Sequence, residues 1–197
     1  MKNKIRMAVL ISGRGSNMDA LIKACQDPSY PAEIVAVISN RPDAAGLHKA
    51  QKAGIQTAIV DHKAYQGREA FEAVLQETLQ KFEPLDLVCL AGFMRILTAG
   101  FVNQWQGRML NIHPSLLPAY KGLDTHARAL ADGCAQAGCT VHYVTPEMDD
   151  GPILVQKAVD ILPDDTADSL AERVLEVEHG AYVEAVALFA GQKLSQS

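Results

Sequence analysis

Runs of consecutive apolar residues alternate with segments in which apolar residues recur every three or four positions. An apolar run bounded by turn residues is typical of a strand buried on both faces, and the longer spacing indicates an amphipathic helix. The runs predict strands at residues 5–12, 33–39, 55–60, 85–92 and 108–113. The helical spacing predicts helices at residues 16–25, 43–54, 67–82 and 98–105. This alternation predicts an α/β, Rossmann-like fold with a mostly parallel central sheet and helices on both faces.

The pattern changes after residue 118. A helix is predicted at residues 125–133, two strands at 138–145 and 152–161, and a final helix at 168–190. The two strands are joined by the short turn-forming segment "PEMDDG", which favours a hairpin and therefore a mixed C-terminal part of the sheet. We find no linker or repeat, so residues 1–197 are expected to form one domain. Its halves are a nucleotide-fold half, about 1–110, and a mixed-sheet half, about 111–197.

Composition narrows the class of protein. The formal net charge of −5 does not favour a nucleic-acid partner, and no apolar run approaches the roughly 20 residues that span a membrane. The N-terminal "MKNKIRMAVLIS" is basic and then apolar, but a glycine turn follows it, so a first strand is expected and not a signal peptide. The four cysteines form no regular framework, which favours a reducing cytoplasm, with Cys25 and Cys89 as buried thiols.

The first chemistry-bearing segment is "SGRGSN", residues 12–17, between the first strand and the first helix. A glycine turn at a helix start presents backbone N–H groups to an anion, usually a phosphate. The glycine spacing matches neither the dinucleotide fingerprint nor the P-loop, so a monophosphate is expected. Ser16 or Asn17 is predicted as the N-cap. The alternative is a tight turn without a ligand.

The second segment, "NIHPSLLP", follows the fifth predicted strand. Ligands of parallel sheets lie at the carboxyl ends of strands, and residues two apart in a strand point to the same side. Asn111 and His113 are therefore placed together at such an end, where an amide stabilises an oxyanion and an imidazole moves protons. Pro114 and Pro118 rigidify the exit turn. The alternative is a capped strand end with a hydrogen-bonded histidine.

The third segment is "MDDGP", residues 148–152, in the connection between the last two strands. A carboxylate beside a histidine stabilises its charged form and fixes its orientation. The connection is expected to pass the end of the fifth strand. An acidic surface turn is the alternative.

Five segments together, "SGRGSN", "LAGFMRIL", "NIHPSLLP", "GCTVH" and "DDGPI", resemble in order and spacing the phosphoribosylglycinamide formyltransferases of purine biosynthesis. The resemblance covers residues 5–190. It implies transfer of a formyl group from 10-formyltetrahydrofolate to the amine of glycinamide ribonucleotide. It also implies small-molecule partners, a monomer or homodimer, and no metal.

The resemblance assigns roles residue by residue. The catalytic residues it implies are Asn111, His113 and Asp149. The substrate-binding residues, for the phosphate and the ribose, are Gly15, Ser16, Asn17 and Glu178. The folate-binding residues are Arg68, Met94, Arg95, Ile96, Leu97 and again Asn111.

Some positions remain open. Arg14 and Asp124 stand where relatives have other residues, and Arg14 either adds a phosphate contact or faces solvent. His126 and His142 fit the family pattern in either a direct or a supporting role. A metal cluster of His113, His142 and Asp149 is disfavoured because no short ligand spacing supports it.

Two rival functions remain. A formyltetrahydrofolate deformylase would use the same three catalytic residues with water as acceptor. Deformylases resemble this chain only in their C-terminal part and carry a further N-terminal domain, so the transferase is expected. A non-catalytic nucleotide-binding module would account for the glycine turn but not for Asn111, His113 and Asp149 together.

Overall fold

The computed structural model describes residues 4–195. The strands are β1 Ile5–Ile11, β2 Ala32–Ser39, β3 Gln56–Ile59, β4 Leu87–Leu90, β5 Met109–His113, β6 Gln136–Tyr143 and β7 Ile153–Asp160. The α-helices are α1 Ser16–Cys25, α2 Ala45–Lys52, α3 Arg68–Gln80, α4 Ala99–Gln104, α5 Thr125–Ala131 and α6 Ala167–Leu194, and a 3-10 turn occupies His62–Ala64. Each strand and α-helix predicted from the hydrophobic pattern is present.

The strands described form one sheet with the order β3-β2-β1-β4-β5-β6-β7. Strands β1 to β5 pair in parallel, whereas β5–β6 and β6–β7 pair antiparallel. This confirms the α/β fold with a mostly parallel sheet and a mixed C-terminal part. Strands β2 and β3 follow β1 on one side of it in the sheet, and the chain then crosses over to place β4 on the other side of β1. A crevice opens at such a reversal, outside the carboxyl ends of the strands.

Helices cover both faces of the sheet. Alternate residues of β1 separate into two apolar clusters, with Val9 in one and Leu10 in the other. The first cluster includes residues of α1, α2 and α6, and the second includes residues of α3 and α4. Because neighbouring strand residues point to opposite faces, a continuous apolar run is required to fill both clusters.

Three local predictions were wrong in detail. The N-cap of α1 is Gly15, in a left-handed conformation (φ 66°) and without a side-chain cap, because the helix already begins at Ser16, and the Asn17 side chain bonds to Glu178. Helix α6 continues beyond residue 190 to Leu194, with a polar last turn that keeps its helical hydrogen bonds. Cys25 is only partly buried, whereas Cys89 is buried, and both thiols are free.

Candidate active site

The glycine turn after β1 lies directly against the start of α2. The N–H of Gly46 donates to the Gly13 carbonyl at 3.0 Å. A Cβ added at Gly46 would lie 2.6 Å from the Ile11 Cδ1 atom and 3.3 Å from the Gly15 Cα atom. This contact fixes the turn at the N-terminus of α1, where backbone N–H groups and the helix dipole favour an anion. Sequence reasoning missed Gly46, whose only signal was a glycine within the first turn of a predicted helix.

Asn17 and Glu178 form a buried polar pair beside this turn. The Asn17 Nδ2 atom donates to the Glu178 Oε2 atom at 2.6 Å, and the two side chains are 7% and 8% exposed. Burial raises the pKa of Glu178, while the hydrogen bond from Asn17 opposes that shift. Within the described chain, the Asn17 Oδ1 atom is buried and has no hydrogen-bond partner. The pair therefore holds one buried acceptor without a partner among residues 4–195, whereas such groups are normally satisfied.

The loop after β4 carries residues 94–97. Met94 and Ile96 are 71% and 63% exposed, which is unusual for large apolar side chains, whereas Leu97 packs into the second apolar cluster. The loop is held at its end by Glu72, whose carboxylate accepts the Thr98 N–H at 2.7 Å. The loop is therefore held in place by α3 and exposes two apolar side chains at the crevice.

Two arginines lie at this loop: Arg95 within it and Arg68 beside it. Arg68 begins α3, one turn before Phe71, whose ring stacks on Phe93 with centroids 6.5 Å apart. Residues three apart share a helix face, so Arg68 lies on the side of α3 that meets the loop. The Arg95 Nε atom is buried and, among residues 4–195, lacks a hydrogen-bond partner.

The end of β5 brings Asn111 and His113 together with a carboxylate from the β6–β7 connection. The Asp149 Oδ2 atom lies 3.4 Å from the His113 Nδ1 atom, and its Oδ1 atom lies 3.7 Å from the His142 Nε2 atom. The side chains of His113 and Asp149 are 7% and 12% exposed, so solvent screens their interaction weakly. The sequence prediction that this connection passes the end of the fifth strand is confirmed.

His142 orients Asn111. These residues are paired across β5 and β6, and the Asn111 Nδ2 atom lies 3.3 Å from the His142 Nε2 atom. The His142 Nδ1 atom lies 2.9 Å from the Tyr143 carbonyl, which only accepts, so Nδ1 carries the proton. Burial lowers the pKa of His142, and a neutral ring then leaves its Nε2 atom free to accept from Asn111. This pairing required the antiparallel register of β6, which the sequence pattern did not supply.

The backbone around Asp149 is unusual. Asp149 has a positive φ of 51°, and its Oδ2 atom accepts the Gly122 N–H at 2.9 Å. A Cβ added at Gly151 would lie 1.7 Å from the Tyr143 carbonyl oxygen, so this position accepts only glycine. The neighbouring Asp150 points away and pairs with Lys121 at the surface. Asp149, and not Asp150, is therefore the carboxylate at His113.

The remaining positions lie around this centre. His126 lines a small cavity of about 110 Å³ behind the 114–120 turn, and burial lowers its pKa. Asp124 is the left-handed N-cap residue of α5. Arg14 is exposed in the glycine turn. Among residues 4–195, no cluster of three His, Cys, Asp or Glu side chains is placed to hold a metal ion, and no helix is long and apolar enough to cross a membrane.

In this α/β fold an amide, an imidazole and a carboxylate therefore meet at the end of β5. The family model for formyl transferases matches residues 5–186, and the chain belongs to that family. It is 44% identical over 190 residues to the phosphoribosylglycinamide formyltransferase of Escherichia coli, covering 96% of this chain and 89% of the relative.

Other relatives agree. The crystal structure of a phosphoribosylglycinamide formyltransferase from Brucella melitensis has a TM-score of 0.91 and 51% identity, covering 95% of this chain and 96% of that one. The trifunctional purine biosynthetic protein adenosine-3 of Bos taurus is 51% identical over 187 residues. This match covers 95% of the chain but only 18% of the bovine protein, so the chain spans about a fifth of the length of such relatives.

Proposed function

We propose that the protein transfers the formyl group of 10-formyltetrahydrofolate to the primary amine of glycinamide ribonucleotide. The observation that carries this proposal is the convergence of Asn111, His113 and Asp149, with 3.4 Å between the His113 Nδ1 and Asp149 Oδ2 atoms. The whole-length similarity to the Escherichia coli formyltransferase supports the same reaction.

The ribonucleotide occupies the β1 side of the crevice in this proposal. Its phosphate binds the backbone N–H groups of Gly15, Ser16 and Asn17 at the start of α1. These groups are available because no protein side chain caps that end of the helix. Its ribose hydroxyls bind the buried Glu178 carboxylate beside Asn17. The uncapped turn and the open Asn17 oxygen support this placement.

The folate occupies the β4 side. The flat pterin packs on residues 94–97, where Met94 and Ile96 expose apolar surface, and its polar edge binds the loop backbone. Arg68 contributes a positive charge for the folate carboxylates from the start of α3, and Arg95 lines the pocket. The folate formyl group then lies near Asn111.

The proposed reaction begins with attack of the ribonucleotide amine on the formyl carbon. The oxyanion that forms is stabilised by the second N–H of the Asn111 amide and by protonated His113. The Asp149 carboxylate, 3.4 Å from the His113 Nδ1 atom, orients the ring and faces its positive charge in this step. The bond from carbon to the folate nitrogen then breaks as His113 gives its proton to that nitrogen, and the proton that the attacking amine loses passes to His113, which regains its charge. Positioning and electrostatics supply the acceleration.

A product assay tests this proposal. We expect tetrahydrofolate to appear from 10-formyltetrahydrofolate only when glycinamide ribonucleotide is present. Equal turnover without the ribonucleotide would indicate a deformylase, and binding without turnover would indicate a nucleotide-binding module. A His113→Ala variant that retained full turnover would refute the catalytic assignment.

The wider setting of the reaction also belongs to the proposal. Residues 1–197 act as one domain, in which the half up to about residue 110 binds the phosphate and the remainder carries the catalytic side chains. The partners are small molecules, with no nucleic acid or membrane, and the protein is a monomer or homodimer. The four free thiols support a reducing compartment such as the cytoplasm.

A further inference from the structure

The three residues 120–122 contact both members of the His113–Asp149 pair. The His113 Nε2 atom lies 2.9 Å from the Tyr120 carbonyl oxygen, and the Gly122 N–H donates to the Asp149 Oδ2 atom at 2.9 Å. Because a carbonyl only accepts, the Nε2 atom carries a proton, and the Nδ1 atom is the one turned to Asp149. This segment therefore fixes which nitrogen of His113 meets which partner.

The backbone of this segment does not adopt its shape by local preference. Tyr120 has a φ of 56°, a left-handed conformation that is uncommon for a residue with a Cβ. Such conformations persist where surrounding contacts determine them. Around Tyr120 those contacts include the His113 bond to its carbonyl and several contacts of its own side chain.

The Tyr120 side chain is held at three points. Its hydroxyl donates to the Asp132 Oδ2 atom at 2.8 Å and lies 3.0 Å from the Cys134 Sγ atom. The Arg128 guanidinium carbon lies 5.2 Å from the ring centroid, while the Arg128 Nη1 atom donates to the Lys121 carbonyl at 2.8 Å. The hydrogen bonds with Cys134 and Asp132 raise the pKa of Tyr120, so its hydroxyl keeps the proton that it donates.

We propose that Tyr120 is a positioning residue, whose side chain, held by Asp132, Cys134 and Arg128, fixes the backbone that aligns His113 with Asp149. This inference rests on the proposed function, because it assumes that His113 and Asp149 carry the reaction. In this role Tyr120 acts through its carbonyl, which accepts from His113.

The test is the variant Tyr120→Phe, which removes the hydroxyl and keeps the ring beneath Arg128. We expect kcat to fall about 5-fold or more, with both KM values within about 2-fold, because misalignment affects the reacting groups more than binding. Asp132→Ala should give a loss in the same direction but no larger, because the hydroxyl keeps its contact with Cys134, and the double variant should lose no more than Tyr120→Phe. Asp132→Asn, which keeps an oxygen acceptor, should restore most of the rate.

Nitrogen-15 NMR of labelled histidines supplies a readout that does not depend on turnover. We expect the hydrogen-bonded Nε2–H signal of His113 to shift or broaden in Tyr120→Phe. Tyr30→Phe is the matched control, because it removes a hydroxyl bonded at 2.8 Å to the carbonyl of Val183 in α6, and not to the elements that hold residues 120–122. It should lower thermal stability without changing kcat or the His113 signal.

The results distinguish failure of the positioning role from failure of the proposed function. An unchanged kcat in Tyr120→Phe, or a lower kcat with an unchanged His113 signal, would overturn the positioning role. If the native protein shows no ribonucleotide-dependent turnover, the proposed function fails, while the NMR comparison still decides whether Tyr120 orients His113.

Discussion

The hydroxyl of Ser12 accepts the backbone N–H of Met94 at 2.7 Å and donates to the Asn40 Oδ1 atom at 2.5 Å. Ser12 begins the glycine turn after β1, and Met94 begins the exposed part of the loop after β4. One buried hydroxyl thus joins the proposed phosphate and folate sites across the point where the strand order reverses. Sequence reasoning assigned Ser12 no role, because this contact joins residues 82 positions apart.

Ser12→Ala should weaken folate binding. The part-buried Met94 N–H loses its acceptor, which costs at most about 1–3 kcal/mol, and the loop shifts to satisfy it. We expect the KM for the folate to rise about 5-fold or more, with a smaller change for the ribonucleotide. Ser39→Ala is the control, since Ser39 is equally buried but its hydroxyl donates to the Arg41 carbonyl. Equal effects of both variants on the folate KM would contradict the link.

Asp149→Asn should slow the chemical step. Asparagine tolerates the positive φ and still accepts from Gly122, but it removes the charge beside His113. We expect kcat to fall about 100-fold, with KM values changed by less than about 3-fold. Asp150→Asn, which breaks only a surface pair with Lys121, should stay within about 2-fold. Steady-state kinetics with both substrates measures these changes. If Asp150→Asn lowered kcat more than Asp149→Asn did, the catalytic role would belong to Asp150.

Gly15→Ala should affect the ribonucleotide site selectively. A Cβ there would lie 3.0 Å from the Met18 Cε atom and 3.1 Å from the Gly46 Cα atom, at a φ of 66°. The turn would have to move, so we expect the KM for the ribonucleotide to rise about 10-fold or more while the folate KM changes little. Gly54→Ala has the same backbone strain with no atom near its Cβ. It should lower Tm by a few degrees and leave both KM values unchanged; a similar KM effect from both variants would assign the loss to strain alone.

The stability of the protein should fall in mild acid. Burial lowers the pKa of His142, and burial likewise lowers the pKa values of His126 and His179. Below the histidine pKa of about 6.5 in the unfolded chain, the unfolded chain binds protons at these positions and the folded protein does not, so the free energy of unfolding decreases as pH falls. Above that pKa, the contribution of these histidines to stability is fully present. Urea denaturation between about pH 5 and about pH 8 measures this dependence.

His142→Gln should flatten that pH dependence, because it removes one of the buried groups. His48→Gln, at an exposed position, should leave the slope as it is. Parallel curves for the native protein and His142→Gln would show that His142 is not among the groups that resist protonation.

The sequence by itself determined the helices and strands and which polar residues stand at the strand ends. Apolar runs and helical spacing depend on local periodicity, so they defined β1 to β7 and α1 to α6 within a few residues at each end. The order of these elements also predicted which loops meet at the carboxyl ends of the strands, and thus the site of Asn111 and His113.

The tertiary structure decided how those side chains are held. The Asn111–His142 contact depends on the register of β5 against β6, Asp149 reaches His113 through a backbone with positive φ, and Gly46 packs on Gly15 between two helices. Each of these relationships joins residues distant in sequence, and its distance is set by packing and hydrogen bonding of the whole fold. Local periodicity carries no such information, which is why Ser12 and Tyr120 emerged only from their contacts.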